Sequence, residues 1–101
     1  MDVNLAVVGL GRVGSIHARN SFKANGINLK CLVDADLGKA EEFAKELSCR
    51  ASSDFQLVLD DPEINAVLVG TPTVTHYDYV KRALLSGKDV FAEKPLGVDI
   101  D

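Results

Sequence analysis

Short apolar runs alternate along the chain with segments of helix length. Four of these runs are rich in β-branched residues, end at turn-forming residues and are predicted to be strands: 3–9, 27–33, 65–70 and 89–93. Three of them are apolar almost without interruption, which is typical of strands buried on both faces of a parallel sheet. The alternation therefore predicts an α/β protein with a doubly wound parallel sheet of about five strands and helices on both of its faces.

The segments between the predicted strands have helical periodicity. Their apolar residues recur every three or four positions, through Leu37, Ala40, Phe43, Ala44 and Leu47 and again through Val74, Tyr77, Val80 and Leu84. Asp36 and Thr73 are expected N-caps, and Gly26 and Gly87 stand where C-terminal caps belong. A short strand is expected at 49–51, followed by a small helix within 54–61.

Three glycines follow the first predicted strand and raise the question of a ligand. Gly9, Gly11 and Gly14 form the pattern G-x-G-x-x-G between that strand and a helix. In this context the first glycine permits a tight turn, the second lets the main chain approach a pyrophosphate, and the third lets the helix pack closely on the strand. N–H groups at the helix start then face the phosphate charge. The pattern predicts a dinucleotide site, and a purely structural turn is the alternative.

An acidic residue at the end of the second strand supports the dinucleotide interpretation. Asp34 follows Gly14 by 20 residues, the spacing at which a carboxylate accepts the hydroxyls of the adenosine ribose. Asp36 adds a second acid, and no arginine adjoins the strand end. NAD is therefore the expected cofactor and NADP is less favoured. Lys39, one turn into the next helix, is the residue most able to alter that preference, although a solvent-exposed position is expected for it.

Composition narrows the class of protein. The chain has 101 residues, of which 47% are hydrophobic and 26% charged, as in one small soluble domain. A net charge of −4 and few aromatic residues give no reason to expect a nucleic-acid partner, and no apolar run approaches the ~20 residues that cross a bilayer. The two cysteines, Cys31 and Cys49, and the two histidines lack the spacing of metal ligands, so no metal site is expected. Reduced cysteines and a cytoplasmic location are expected.

Several later stretches identify a family. The segments "GLGRVGSIHARN", "DPEINAVLVGTP", "GTPTVTH" and "GKDVFAEKPLG", taken together, closely resemble the glucose–fructose oxidoreductase/inositol dehydrogenase/rhizopine catabolism (Gfo/Idh/MocA) family over essentially the whole chain. The E-K-P at 93–95 is the most specific element, and the T-P-x-x-x-H block at 71–76 comes next. The sequence departs from the pattern at Asn65, where an aspartate is common.

The resemblance implies a role for particular residues in binding NAD. The loop under the pyrophosphate would consist of Gly9, Leu10, Gly11, Arg12, Val13 and Gly14, with the amides of Arg12 and Val13 as donors. Asp34 would hold the adenosine ribose. The remaining cofactor contacts would come from Thr71, Pro72, Thr73, Glu93, Lys94 and Pro95. For His76, capping or packing and contact with the nicotinamide end both stay open.

The resemblance also implies a reaction. Members of this family are two-domain oxidoreductases, and Lys94 occupies the position of the lysine that helps transfer the proton accompanying hydride transfer. The parent protein would act on a secondary alcohol of a sugar, polyol or cyclitol and would form a homo-oligomer. Residues 1–101 would be its dinucleotide-binding domain, truncated before the domain's end and inactive without the substrate domain. The rival interpretation is a stand-alone, non-catalytic module that binds a dinucleotide, or a partner through an uncovered sheet edge.

Overall fold

A computed structural model describes residues 3–23, 26–70 and 73–92. The strands in these ranges are β1 (Val3–Val8), β2 (Ile27–Val33), β3 (Arg50–Ser52), β4 (Ala66–Val69) and β5 (Asp89–Ala92). The helices are α1 (Arg12–Lys23), α2 (Leu37–Leu47), α3 (Phe55–Asp60) and α4 (Thr73–Leu85). Among these residues, no helix is long and apolar enough to cross a membrane.

The strands described form one parallel sheet in the order β3-β2-β1-β4-β5. From the central strand β1 the chain first builds outward through β2 and β3, and it then crosses back to add β4 and β5 on the other side. The doubly wound parallel sheet predicted from the sequence is thus confirmed.

Two apolar clusters, one on each face of the sheet, form the core. Because successive strand side chains point to opposite faces, Ala6 and Val8 of β1 pack in one cluster and Leu5 and Val7 in the other. The first cluster includes residues of α3 and α4, and the second includes residues of α1 and α2. Burial of both faces explains why β4 and the Leu5–Val8 part of β1 are apolar without alternation.

The capping residues are partly as predicted. Asp36 caps α2, since its side chain accepts a hydrogen bond from the Lys39 N–H at 3.2 Å. Gly87 lies beyond the end of α4 with φ of 81°, and its N–H donates to the Leu84 carbonyl at 3.0 Å. The prediction of Thr73 as an N-cap is wrong, because α4 already begins at Thr73. Gly26 has φ of 83°, and the two residues before it lie outside the described residues.

The region between α2 and β4 follows the sequence prediction with small shifts. The short strand is β3, one residue later than expected, and the small helix is α3. Asp54 caps α3 by accepting the Gln56 N–H at 2.9 Å. β3 is the edge strand beside β2, and α3 packs on one face of the sheet through Phe55 and Val58.

Asparagine side chains fix the register of β1 and β4 at the amino end of the sheet. The Asn4 N–H donates to the Asn65 side-chain oxygen at 2.9 Å, and the Asn65 N–H donates to the Asn4 carbonyl at 3.0 Å. The Asn4 side chain also donates to the Glu63 carbonyl at 2.8 Å and accepts from Asn28 at 3.0 Å. Asn65 therefore supplies the acceptor that an aspartate would supply at the same position.

Candidate functional site

The loops that follow β1 and β4 begin side by side at the carboxyl edge of the sheet. Val8 and Val69, the last residues of these strands, are paired in register, and the Gly70 N–H donates to the Val8 carbonyl at 2.7 Å. The order in which strands are added to the sheet reverses at this point, because β2 lies on one side of β1 and β4 on the other. In open α/β sheets the crevice at such a switch point is where ligands bind.

The glycine-rich loop after β1 is held at its start by backbone and core. Gly9 has φ of 90°, a conformation that residues other than glycine rarely adopt. Its N–H donates to the Val33 carbonyl at 2.8 Å. The next residue, Leu10, is only 1% exposed and belongs to the core cluster that α1 and α2 share. The loop therefore leaves the sheet in a defined direction.

Packing against the described residues does not explain why residue 11 is a glycine. Among the described residues, and leaving aside the two chain neighbours, a Cβ added to Gly11 would meet no atom within 4 Å, and the φ of Gly11 lies outside the left-handed region. The glycine itself is exposed. The space that a side chain would fill at Gly11 lies at the mouth of the crevice, where a dinucleotide pyrophosphate would approach the main chain. The observed open space fits such a group.

Asp34 at the end of β2 contacts this loop directly. One carboxylate oxygen, Oδ2, accepts the Leu10 N–H at 2.7 Å, and the other, Oδ1, accepts the Asp36 N–H at 2.8 Å. The Asp34 N–H donates to the Ser52 carbonyl of β3 at 3.1 Å. The side chain is half-buried, so the structure brings the expected ribose-binding acid and the expected pyrophosphate loop together at one edge of the sheet.

A second carboxylate lies in the same corner. Asp36 is exposed and caps α2 two residues beyond Asp34, so two negative charges flank the place expected for the adenosine ribose. Lys39 is exposed in the first turn of α2, as expected from the sequence. Paired carboxylates attract the hydroxyls of a ribose diol and repel a 2′-phosphate.

The other residues expected at the site fall into two groups. Arg12, Val13 and Gly14 form the first turn of α1, and Thr73 and His76 lie in the first turn of α4. Both helices begin at the carboxyl edge of the sheet, next to the crevice. The remaining five residues lie outside the described residues, and their roles stay predictions: Thr71, Pro72, Glu93, Lys94 and Pro95.

Sequence reasoning missed the bond between Asp34 and Leu10. Residues 24 positions apart meet here because β1 and β2 are neighbours in register. The conformation of the loop then turns the Leu10 N–H toward the end of β2. The G-x-G-x-x-G pattern and the acid's spacing indicate proximity, but nothing in the sequence signals which amide the carboxylate accepts.

The cysteines stand apart from this site. Cys31 is buried in the cluster that α3 and α4 share, Cys49 packs against the cluster on the opposite face, and both are free thiols. Burial raises the pKa of the Cys31 thiol and raises that of Cys49 to about 11. Within the described ranges, no three His, Cys, Asp or Glu side chains are grouped as metal ligands would be.

Comparison with known proteins gives one consistent result. A family model described as an oxidoreductase family with an NAD-binding Rossmann fold (GFO_IDH_MocA) matches residues 3–101. Scyllo-inositol 2-dehydrogenase (NAD(+)) of Bacillus subtilis is 44% identical over 102 residues, with 99% of this chain and 30% of that protein aligned. Inositol 2-dehydrogenase of Rhodococcus jostii is 35% identical, with 98% and 28% aligned.

A solved structure shows the same fold. The scyllo-inositol dehydrogenase of Lactobacillus casei, crystallised with NAD(H) and scyllo-inositol, superimposes with a TM-score of 0.87 at 33% identity. The match covers 98% of this chain and 30% of that one. The chain thus spans about 30% of the length of the relatives that it matches.

Proposed function

The chain belongs to the Gfo/Idh/MocA oxidoreductase family, whose NAD-binding Rossmann fold it has, and from that premise we propose that it is the NAD-binding part of a polyol dehydrogenase. The reaction would transfer a hydride between nicotinamide and a secondary alcohol of a sugar, polyol or cyclitol. The observation that carries the proposal is the contact of Asp34 with the glycine-rich loop at the switch point of the sheet.

The glycine-rich loop and Asp34 would bind different parts of the cofactor. We assign the pyrophosphate to the open space over Gly11, where the amides of Arg12 and Val13 at the start of α1 would donate to it. The hydroxyls of the adenosine ribose would donate hydrogen bonds to the Asp34 carboxylate. Each carboxylate oxygen has two lone pairs and accepts one backbone N–H, so acceptor capacity remains for the hydroxyls.

The charges at this corner favour NAD over NADP. A 2′-phosphate on the ribose would face the carboxylates of Asp34 and Asp36, and the repulsion would be stronger from the half-buried Asp34 than from the exposed Asp36. Lys39 on α2 is exposed, so solvent and salt screen its charge and it offers only a weak countercharge to a 2′-phosphate. Membership of the family identifies the domain as NAD-binding. We propose in addition that it discriminates against NADP.

The chemistry requires a path for a proton as well as a hydride. When bound, NAD accepts the hydride that leaves the substrate carbon. Lys94 is the group proposed to take the proton from the substrate hydroxyl, and in the reverse direction its ammonium would polarise the carbonyl. Glu93 would lie beside Lys94 near the nicotinamide ribose, and Pro95 would fix the turn that aims both. Thr71, Pro72 and Thr73 would line the cofactor path, with His76 as the further candidate for a contact at the nicotinamide end.

A cyclitol is the favoured substrate class. All three relatives described above are named as dehydrogenases of inositols, which are cyclic polyols with only secondary hydroxyls. Because this chain spans about 30% of their length, the substrate wall and any subunit contacts would come from other parts of the protein. We therefore propose cofactor binding for this chain and substrate turnover for a protein that contains it with a substrate-binding domain.

A substitution in the loop tests the proposal. Gly11→Val places a branched side chain in the open space over the loop, so NADH affinity should fall at least 100-fold while the thermal midpoint stays within a few degrees. NADH fluorescence titration measures the affinity, and circular dichroism follows the fold. Gly38→Ala is the matched control, because its added Cβ meets only the Asp36 carboxylate, at 3.4 Å. Equal NADH affinities in Gly11→Val and the parent chain would contradict the proposed pyrophosphate site.

A further inference from the structure

Asp34 is tied to two different loops by its two carboxylate oxygens. Oδ2 accepts the Leu10 N–H from the loop after β1, and Oδ1 accepts the Asp36 N–H from the loop after β2. Hydrogen bonds from backbone amides to a carboxylate are charge-assisted and stronger than those between neutral groups. The protein's own backbone therefore engages both oxygens of the side chain.

The backbone of Asp34 is fixed independently of these bonds. Its N–H donates to the Ser52 carbonyl of β3 at 3.1 Å, and the preceding Val33 carbonyl accepts the Gly9 N–H at 2.8 Å. The carboxylate is thus anchored to the sheet. Through the bond to Leu10 it transmits that position to the glycine-rich loop.

Leu10 is fixed through both its side chain and its backbone. Its side chain is 1% exposed in the core, and its N–H donates to the Asp34 carboxylate. The residue after it, Gly11, is exposed and has open space where a side chain would be. Leu10 stands between Gly9 and Gly11, and a backbone flanked by glycines has many conformations available. Fixing the Leu10 amide therefore restricts the conformations of the part of the loop that would contact the pyrophosphate.

We propose that Asp34 is a positioning residue for the pyrophosphate loop in the free protein, in addition to the ribose contact of the proposed function on which this inference rests. Preorganising the loop lowers the entropy lost on binding, so the acid would contribute to the affinity of the phosphate end without touching it. Recognition of the ribose and binding of the pyrophosphate would then be coupled through one side chain. Replacing Asp34 to admit NADP would relieve the repulsion of the 2′-phosphate, but loss of the loop contact would offset part of the gain in NADP affinity and would weaken NAD binding.

Amide hydrogen exchange in the cofactor-free chain tests the positioning role directly. In Asp34→Ala the Leu10 amide should exchange at least 10-fold faster, because its acceptor is gone. In Asp34→Asn one amide oxygen remains, so protection should persist at only one of the two amides, Leu10 or Asp36. Asp54→Ala is the matched control, since Asp54 caps α3 by accepting Gln56 and makes no bond to the loop. Unchanged Leu10 exchange in Asp34→Ala, or protection at both amides in Asp34→Asn, would overturn the proposal.

Cofactor binding gives a second, independent readout. The probe is NAD+ in which both hydroxyls of the adenosine ribose are replaced by hydrogen, so that the ribose contact with Asp34 is absent. Its affinity should fall about 10-fold from the parent chain to Asp34→Ala, although the substitution removes a negative charge near the phosphates. Equal affinities would show that Asp34 acts only on the hydroxyls and would overturn the positioning role. If the parent chain bound no NAD at all, the proposed function would fail, whereas the exchange result would still stand or fall by itself.

Discussion

At the scale of single residues, burial determines what the two thiols can do. Cys49 is half-buried against the cluster of α1 and α2, and desolvation raises its pKa to about 11. The thiolate is the reactive form, and a raised pKa leaves very little of it at neutral pH. Cys49 is accordingly a packing residue, and its chemistry does not compete with the proposed cofactor site.

The raised pKa predicts slow alkylation of Cys49. At pH 8 a shift from 9.0 to about 11 lowers the thiolate fraction about 100-fold, so iodoacetamide should modify the folded chain about 100-fold more slowly than the urea-unfolded chain. Peptide mass spectrometry after timed quenching measures the rate at Cys49. Because the folded pKa lies above the unfolded one, the stabilisation is complete below pH 9 and is lost between about pH 9 and 11. Equal rates in the folded and unfolded chains at pH 8 would contradict this burial.

Lys94 carries the proposed proton transfer. In a protein that joins this chain to its substrate-binding domain, Lys94→Ala should lower kcat on the order of 10²–10⁴-fold, the usual contribution of a placed acid–base group. NAD affinity should change much less, because pyrophosphate and adenosine ribose hold the cofactor from its other end. Steady-state kinetics with an inositol panel across pH measures both quantities. Lys81→Ala, on an exposed position of α4, is the control and should be silent. Turnover in Lys94→Ala within twofold of the parent would remove Lys94 from the mechanism.

At the scale of elements, the end of α2 has an unusual cap. Ser48 has φ of 57° and ψ of 48°, a left-handed conformation that glycine usually takes at this position. The Cys49 N–H donates to the Ala44 carbonyl at 3.0 Å and closes the cap. Ser48 is exposed, so its side chain offers no packing that offsets the strain of this conformation.

Relieving that strain should stabilise the domain. Ser48→Gly removes a left-handed penalty of about 1–2 kcal/mol and adds chain entropy to the unfolded state, so the free energy of unfolding should rise by about 0.5–1 kcal/mol. Urea denaturation followed by circular dichroism measures the change. Ser86→Gly, just beyond α4 and not among the positive-φ residues, is the control and should not stabilise. A loss of stability in Ser48→Gly would mean that the serine side chain contributes a contact of its own.

The elements themselves were largely predictable, and the exceptions have physical causes. β2 runs from Ile27 to Val33 as the sequence predicts, and its carboxyl half, Cys31 to Val33, is the buried apolar run that a central parallel strand needs. The cap at Ser48 was not predictable, since the sequence offers no glycine there and tertiary packing determines where α2 ends. The start of α4 at Thr73 differs from the prediction by one residue, as helix ends commonly do.

At the scale of the whole molecule, topology creates the site. β1 lies between β2 and β4, so the loop after β1 meets Asp34 on one side and the start of the loop after β4 on the other. The sequence predicted this meeting because G-x-G-x-x-G and an acid 20 residues later imply neighbouring strand ends. It did not predict that Asp34 would hold the loop itself, since that depends on the direction of the Leu10 N–H.

The most direct measurement of the central claim is calorimetric titration of the chain with NAD+ and with NADP+ under identical conditions. NAD+ should bind, and NADP+ should bind at least 10-fold more weakly, because the 2′-phosphate would face the carboxylates of Asp34 and Asp36. Raising the salt concentration should narrow the difference between the two affinities by screening that repulsion. Equal affinities for the two cofactors, or no heat of binding with NAD+, would contradict the proposed NAD site.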